Sequence, residues 1–211
     1  MGDNIKKVPA VVIKRLPRYY RYLGELLKQN IKRISSNALS QKMNVTASQI
    51  RQDFNYFGGF GQQGYGYNVE YLYNEIGNIL GLNDGDTIII IGAGNLGRAL
   101  ASHDTFEKRG FRLVGIFDND KNIIGTAING IKVMSIDDLE DFMNKNRVDI
   151  GILTVPKEAV HEVAEHLAQF GIKGLLNFSY AELELAKDIA VENVHLSDSM
   201  MTLSYKIKQD N

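Results

Sequence analysis

The chain is predicted to be an α/β protein built as a winged helix-turn-helix domain, a Rossmann-type parallel-sheet domain and a C-terminal helix. Three observations predict this. The string Ile88-Ile89-Ile90-Ile91-Gly92-Ala93-Gly94-Asn95-Leu96-Gly97 reads as a buried strand, a glycine-rich turn and the start of a helix. From Thr87 onward apolar runs alternate with amphipathic helical stretches, the βαβ rhythm of a parallel sheet, whereas the residues before it are helix-rich. Between the two regions lie Gly58, Gly59, Gly61, Gly64 and Gly66, interleaved with Phe60, Tyr65 and Tyr67. That stretch is too rich in glycine for a helix and suits the tight hairpin of a wing. The expected boundaries are 1–85 for the first domain, 86–196 for the second and 197–211 for the terminal helix, with the first junction at Asn83-Asp84-Gly85-Asp86.

The elements follow in chain order. Pro17 suits the first residue of a helix that carries Tyr19, Tyr20, Leu23, Leu26 and Leu27 at helical spacing. Ser35-Ser36 opens a second helix through Ala38, Leu39 and Met43. Thr46-Ala47-Ser48-Gln49 is a capping box that opens a third, running through Phe57. Two short helices across a tight Asn44-Val45 turn outline a helix-turn-helix. Asn68 caps a further helix through Tyr71, Leu72, Ile76 and Leu80. The second domain is expected to have strands at 87–91, 113–117, 150–155, 174–178 and near Val194. Its helices are expected from about 95, over 136–145 behind Ser135, and over 157–169. Residues 197–208 form an amphipathic stretch bearing Met200, Met201, Leu203, Tyr205 and Ile207.

Composition narrows the chemistry. Of 211 residues 44% are hydrophobic, enough for real cores, and the net charge of −1 hides an asymmetry. Residues 1–85 hold eleven Lys and Arg against six Asp and Glu, net +5, while the remainder is net −6. Either the first half meets a polyanion or the two surfaces are simply solvated with opposite sign. Cysteine is absent, which excludes disulfides, thiolate zinc sites and thiol redox chemistry. No secretory segment and no apolar run near 20 residues is present, so a cytoplasmic location without a membrane partner is expected.

The glycine turn is the main candidate binding site. Gly92, Ala93, Gly94, Asn95, Leu96 and Gly97 would bring backbone N–H groups and a helix N-terminus against a pyrophosphate. The next strand ends in Phe117-Asp118-Asn119-Asp120, where an acid accepts hydrogen bonds from ribose hydroxyls and repels a 2′-phosphate. NAD(H) is therefore favoured over NADP(H). A tight turn without ligand, or another nucleotide such as coenzyme A, stands beside this reading. Thr154, Val155 and Pro156, with Asn177 and Phe178, belong to the carboxyl ends of later strands, where such ligands bind. Pro156 as a plain helix start and Phe178 as plain core are equal alternatives.

On the third helix Ile50, Phe54 and Phe57 share one face, while Ser48, Arg51, Gln52 and Asn55, with Tyr56 at the margin, share the other. The second set suits a DNA major groove, or else an ordinary solvated face. The candidate DNA contacts are Ser48, Gln49, Arg51, Gln52, Asn55 and Tyr56, with Arg15 and Arg18 before the helix and Gln62 and Gln63 in the wing. Catalysis is not expected. Residues 86–211 suffice for one nucleotide-binding domain, and no nucleophile–base pair accompanies it. His161 and His166 face different sides of their helix, and no metal site is expected, while His103 and His195 lie where either could approach a cofactor.

Taken together, Arg15 to Arg21, Ile50 to Gly58, Gly64 to Val69, Gly92 to Gly97, Leu153 to Pro156 and Gly171 to Phe178 resemble the Rex redox-sensing transcriptional repressors over nearly the whole chain. The resemblance implies a homodimer that binds pseudo-palindromic operator DNA when free or NAD⁺-bound and is released by NADH. It also implies a C-terminal helix swapped onto the partner subunit. Arg15, His103 and His195 become switch candidates by the same resemblance. Departures are Gln52, Gln62 and Gln63, where relatives often carry basic residues, and His103 and His195, which stand in place of a tyrosine and an aspartate.

Overall fold

A computed structural model describes residues 8–58, 61–62, 65–104, 106–185 and 188–209. Gln63, named above as a wing contact, lies outside the described residues, and Gln62 is described by its backbone alone. The chain divides into two compact units that meet in sequence at Asn83 and Asp84.

In the first unit α1 (Ala10–Ile13) and α2 (Leu16–Lys28) precede a short strand, β1 (Arg33–Ile34). Helices α3 (Ser36–Met43) and α4 (Ala47–Asn55) follow, then β2 (Gly61–Gln62), β3 (Gly66–Asn68) and α5 (Val69–Ile79). The helix starts are set chemically. Ser35 Oγ accepts from the Ala38 amide at 3.1 Å, Thr46 Oγ1 from Gln49 at 3.1 Å and Asn68 Oδ1 from Tyr71 at 2.9 Å. Asn44 caps α3 in the left-handed region at φ +53°, which turns the chain into α4. Strands β1, β3 and β2 form an antiparallel sheet in that order, the wing that the glycines predicted, with β1 added to it. Leu16, Tyr19, Leu23, Leu39, Ile50, Phe54, Leu72 and Ile76 form its core. Helix α4 stops at Asn55 rather than Phe57, because Gly58 (φ +95°) takes the chain out of the helix.

The second unit is a seven-stranded sheet with the order β10-β9-β8-β4-β5-β7-β6. Its strands are β4 (Thr87–Ile91), β5 (Arg112–Asp118), β6 (Ala127–Ile128), β7 (Ile131–Ser135), β8 (Ile150–Leu153), β9 (Gly174–Asn177) and β10 (Ala190–Asn193). All pairings are parallel except that of β6 with β7, so the sheet is mixed at one edge. The β6–β7 hairpin was not predicted, though its Asn129-Gly130 turn, both residues at positive φ, is the standard two-residue signal. Helix α6 (Asn95–Ser102) packs on one face against Ile88, Ile90, Ile116 and Ile152. Helices α7 (Leu139–Lys145) and α8 (Lys157–Gln169) pack on the other, against Ile89, Ile91, Phe117 and Leu153. The connections therefore change face between β4 and β8. Helix α9 (Leu196–Gln209) ends the described chain and buries none of its residues.

At the amino edge of this sheet the Asp149 carboxylate, 2% exposed, accepts from the Thr87 amide and hydroxyl and from Arg147, and Lys173 lies 2.8 Å away. Burial alone would raise its pKa, but these donors outweigh burial and hold it well below the usual carboxylate range. A depressed folded-state pKa stabilises the fold above the unfolded value and is lost as pH falls through the folded one. Asp149→Asn is expected to cost about 1–3 kcal/mol at neutral pH. It should also flatten the loss of stability below about pH 4, read by thermal unfolding across pH.

Candidate functional site

The carboxyl edge of the sheet gathers the glycine turn and the loops after β5, β8 and β9. Gly92 sits at φ +98°, and a Cβ there would lie 2.7 Å from the Thr154 carbonyl oxygen, so only glycine fits. A Cβ on Gly97 would overlap the Gly92 carbonyl oxygen and reach 2.9 Å from Thr154 Oγ1. Gly94 differs. Its backbone is ordinary, and a Cβ there would meet nothing within 4 Å. The protein's own packing therefore leaves open space above the Gly94 backbone.

The rest of the edge holds this turn in place. The Thr154 hydroxyl donates to the Gly92 carbonyl at 2.7 Å, and Arg98 Nε donates to that of Ala93 at 2.9 Å. Asp118 accepts from the Ala93 amide at 2.5 Å and from the Asp120 amide at 2.8 Å, which fixes its carboxylate beside the turn. No side chain caps α6, and Asn95 and Leu96 at its start are exposed, as are Asn119 and Pro156. The helix therefore presents an uncapped, electropositive N-terminus with a carboxylate at its flank. A dinucleotide fits this donor set: diphosphate on the turn, ribose hydroxyls on Asp118.

Three predicted contacts are engaged within the unit itself. Asn177 is fully buried, donates to the Ala181 carbonyl and to Asn193 Oδ1, and accepts from the Ser179 amide. It shapes the loop after β9, and Phe178 packs into the apolar face of the sheet. Val155 packs into the opposite core. His103 follows the last residue of α6, so it lies about 12 Å along the axis from the glycine turn. His195 does reach the carboxyl edge. Its Nε2 lies 3.1 Å from the Ser179 carbonyl oxygen, and its Nδ1 lies 3.6 Å from Glu182 and 3.9 Å from Asp198.

In the first unit α4 follows the wheel. Ser48, Arg51, Gln52 and Asn55 are exposed, Gln49 and Tyr56 are half-buried, and Arg18 on α2 is exposed. Arg51 Nη1 donates to Ser36 Oγ at 3.0 Å. Arg15 is half-buried, and its Nε and Nη2 donate to the two oxygens of Asp53 at 2.7 and 2.6 Å. Tyr19 donates to the same carboxylate at 2.8 Å and Gln49 at 2.9 Å. Burial would raise the pKa of Asp53, but these donors and the adjacent guanidinium outweigh it and hold the carboxyl low. Burial, reinforced by the hydrogen bond to Asp53, pushes the Tyr19 hydroxyl well above its ordinary value. The signal for this cluster was in the sequence. Asp53 stands inside the stripe of Ile50, Phe54 and Phe57, and an acid on an apolar face requires a buried partner.

A helix-turn-helix unit followed by a dinucleotide-type sheet defines the class of DNA-binding regulators that answer to a nucleotide. A family model described as "Putative DNA-binding protein N-terminus" matches residues 7–55, and one described as "CoA binding domain" matches 83–181. The redox-sensing transcriptional repressor Rex of Thermoanaerobacter pseudethanolicus is 56% identical over 97% of this chain and 91% of its own length. That of Clostridium perfringens strain SM101 is 52% identical over 99% of both. The crystal structure of RSP in complex with β-NAD⁺ and operator DNA aligns with a TM-score of 0.90 at 55% identity, over 96% of this chain and 94% of that one. RSP in complex with β-NADH aligns at 0.89 and 51% identity, over 97% and 96%. The chain belongs to the Rex family of redox-sensing transcriptional repressors.

Proposed function

We propose that this protein is a transcriptional repressor that binds operator DNA through its first unit and releases it when NADH occupies the second. The observation that carries the reading is the Gly94 position: an open glycine at an uncapped helix start, beside the fixed carboxylate of Asp118. In this reading Gly92 to Gly97 hold the diphosphate, while Asp118 takes the ribose and disfavours a 2′-phosphate. Thr154 keeps the turn closed, and Asn177 positions the loop carrying Phe178 and Ser179. When bound, the cofactor supplies a nicotinamide ring that is cationic when oxidised and neutral when reduced. Those turn and ribose contacts are common to both forms, so the residues that discriminate lie further along the carboxyl edge, with His195 the leading one. Arg18, Ser48, Gln49, Arg51, Gln52, Asn55 and Tyr56 are the proposed DNA face, together with the sequence candidates Gln62 and Gln63. Arg15 serves them by holding Asp53.

Leu196, Met200, Met201, Leu203, Tyr205 and Ile207 are all at least half exposed on α9. So much apolar surface on one helix supports a homodimer in which α9 packs on the second copy. Among the described residues no helix is long and apolar enough to cross a membrane.

Linkage tests the proposal. If NADH lowers operator affinity by some factor, saturating operator must lower NADH affinity by the same factor. Moving the DNA-competent fraction from 99:1 to 1:99 takes about a 10⁴-fold preference. Calorimetric titration of NADH with and without operator should show the reciprocal loss, and sedimentation should show two chains per operator. Equal NADH affinity in both titrations would contradict the reading.

A further inference from the structure

The carboxyl edge runs two ways from the glycine turn. Asp118 ends β5 on one side of β4, and β8 and β9 lie on the other. With the diphosphate on the turn and the adenosine ribose on Asp118, the nicotinamide half of a dinucleotide extends over the ends of β8 and β9. At about 4.8 Å per strand, β9 ends about 10 Å from the turn. Most side chains at those ends are engaged. Thr154 closes the turn, Val155 and Phe178 pack into the two cores, and Asn177 and Ser179 are buried. Tyr180 instead stands 80% exposed. Its ring lies at 7° to the plane of the His195 ring, with centroids 6.5 Å apart, and His195 is itself held at the Ser179 carbonyl. The loop after β9 thus offers a flat ring an aromatic face.

An aromatic face carries negative charge density and attracts a cation placed over it. Oxidised and reduced nicotinamide can both stack there, but only the oxidised ring is a cation and gains the electrostatic part. We propose that Tyr180 is a specificity-determining residue for the redox state: its face meets the nicotinamide ring and strengthens binding of the oxidised form. It thereby raises the NADH to NAD⁺ ratio at which operator is released. The inference rests on the NAD(H)-responsive role proposed above and deepens it at the cofactor site.

The test uses the full-length protein and three ligands: NAD⁺, NADH and ADP-ribose, which lacks the nicotinamide. Tyr180→Leu keeps an apolar side chain and removes the aromatic face. By calorimetry its ADP-ribose affinity should equal that of wild type, while its NAD⁺ affinity should fall about fivefold further than its NADH affinity. Tyr180→Phe keeps the face and should keep the wild-type ratio of the two affinities. The NADH to NAD⁺ ratio that half-releases operator should drop about fivefold in Tyr180→Leu and stay in place in Tyr180→Phe.

Equal changes in NAD⁺ and NADH affinity in Tyr180→Leu overturn the proposal. So does a Tyr180→Phe protein that behaves like Tyr180→Leu, because the hydroxyl and not the face is then responsible. A loss of ADP-ribose affinity or of thermal stability in Tyr180→Leu also overturns it, since Tyr180 then shapes the loop instead of meeting the ring. Wild type that binds neither cofactor, or that NADH does not release from operator, would overturn the NAD(H)-responsive reading itself, and this inference with it.

Discussion

Gly97→Ala is expected to abolish the response to NADH while leaving operator binding intact. The added methyl would occupy the space of the Gly92 carbonyl oxygen, a backbone atom that cannot yield, and press on the Thr154 hydroxyl that holds that carbonyl. Relief requires α6 to move off β4, which opens the diphosphate cradle and costs about 1–3 kcal/mol through overpacking. NADH affinity should fall at least 100-fold by calorimetry, a transition-independent loss of about 2.7 kcal/mol. Operator affinity without cofactor should change less than threefold, because the first unit has its own core. Gly94→Ala is the informative companion. It has room in the protein, so its stability should match wild type, and any loss of NADH affinity reports the approach of the ligand itself.

Asp53→Ala is expected to destabilise the first unit by about 3 kcal/mol in urea unfolding. The substitution strands the Tyr19 hydroxyl, which belongs to a fully buried residue, and leaves Arg15, 22% exposed, without its partner. Arg15→Ala should cost as much, because a fully buried carboxylate then loses its counter-charge and keeps only the Tyr19 and Gln49 donors. The sign with pH follows from the lowered pKa of Asp53. Its contribution is complete above the usual carboxylate range and fades as pH falls below about 4. Asp53→Ala should therefore lose less stability than wild type on acidification.

Most of the fold was legible because local chemistry and period agree. Helix α8 was predicted at the bounds it adopts, since Pro156 starts it and Val160, Ala164 and Leu167 recur at the buried spacing. Strand β4 was equally clear, a run buried at all five positions that a central parallel strand requires. The hairpin of β6 and β7 was missed, since two short strands alternating with exposed residues give little apolar run. In the candidate site the glycine turn was readable from spacing alone, but the inward commitment of Asn177 and of Arg15 was not. Both depend on partners distant in sequence, Asn193 for one and Asp53 for the other, at separations of 16 and 38 residues. Sequence patterns identify residue types suited to a ligand; only the fold says which of them are already engaged by the protein.

The central claim is that the redox state of the cofactor, not its mere presence, sets DNA occupancy. Its most direct test is the anisotropy of a labelled operator at fixed total nicotinamide dinucleotide while the NADH to NAD⁺ ratio is varied. The bound fraction should fall steadily as the ratio rises and recover when NADH is oxidised in the same sample. A bound fraction that follows total cofactor and ignores the ratio would contradict it.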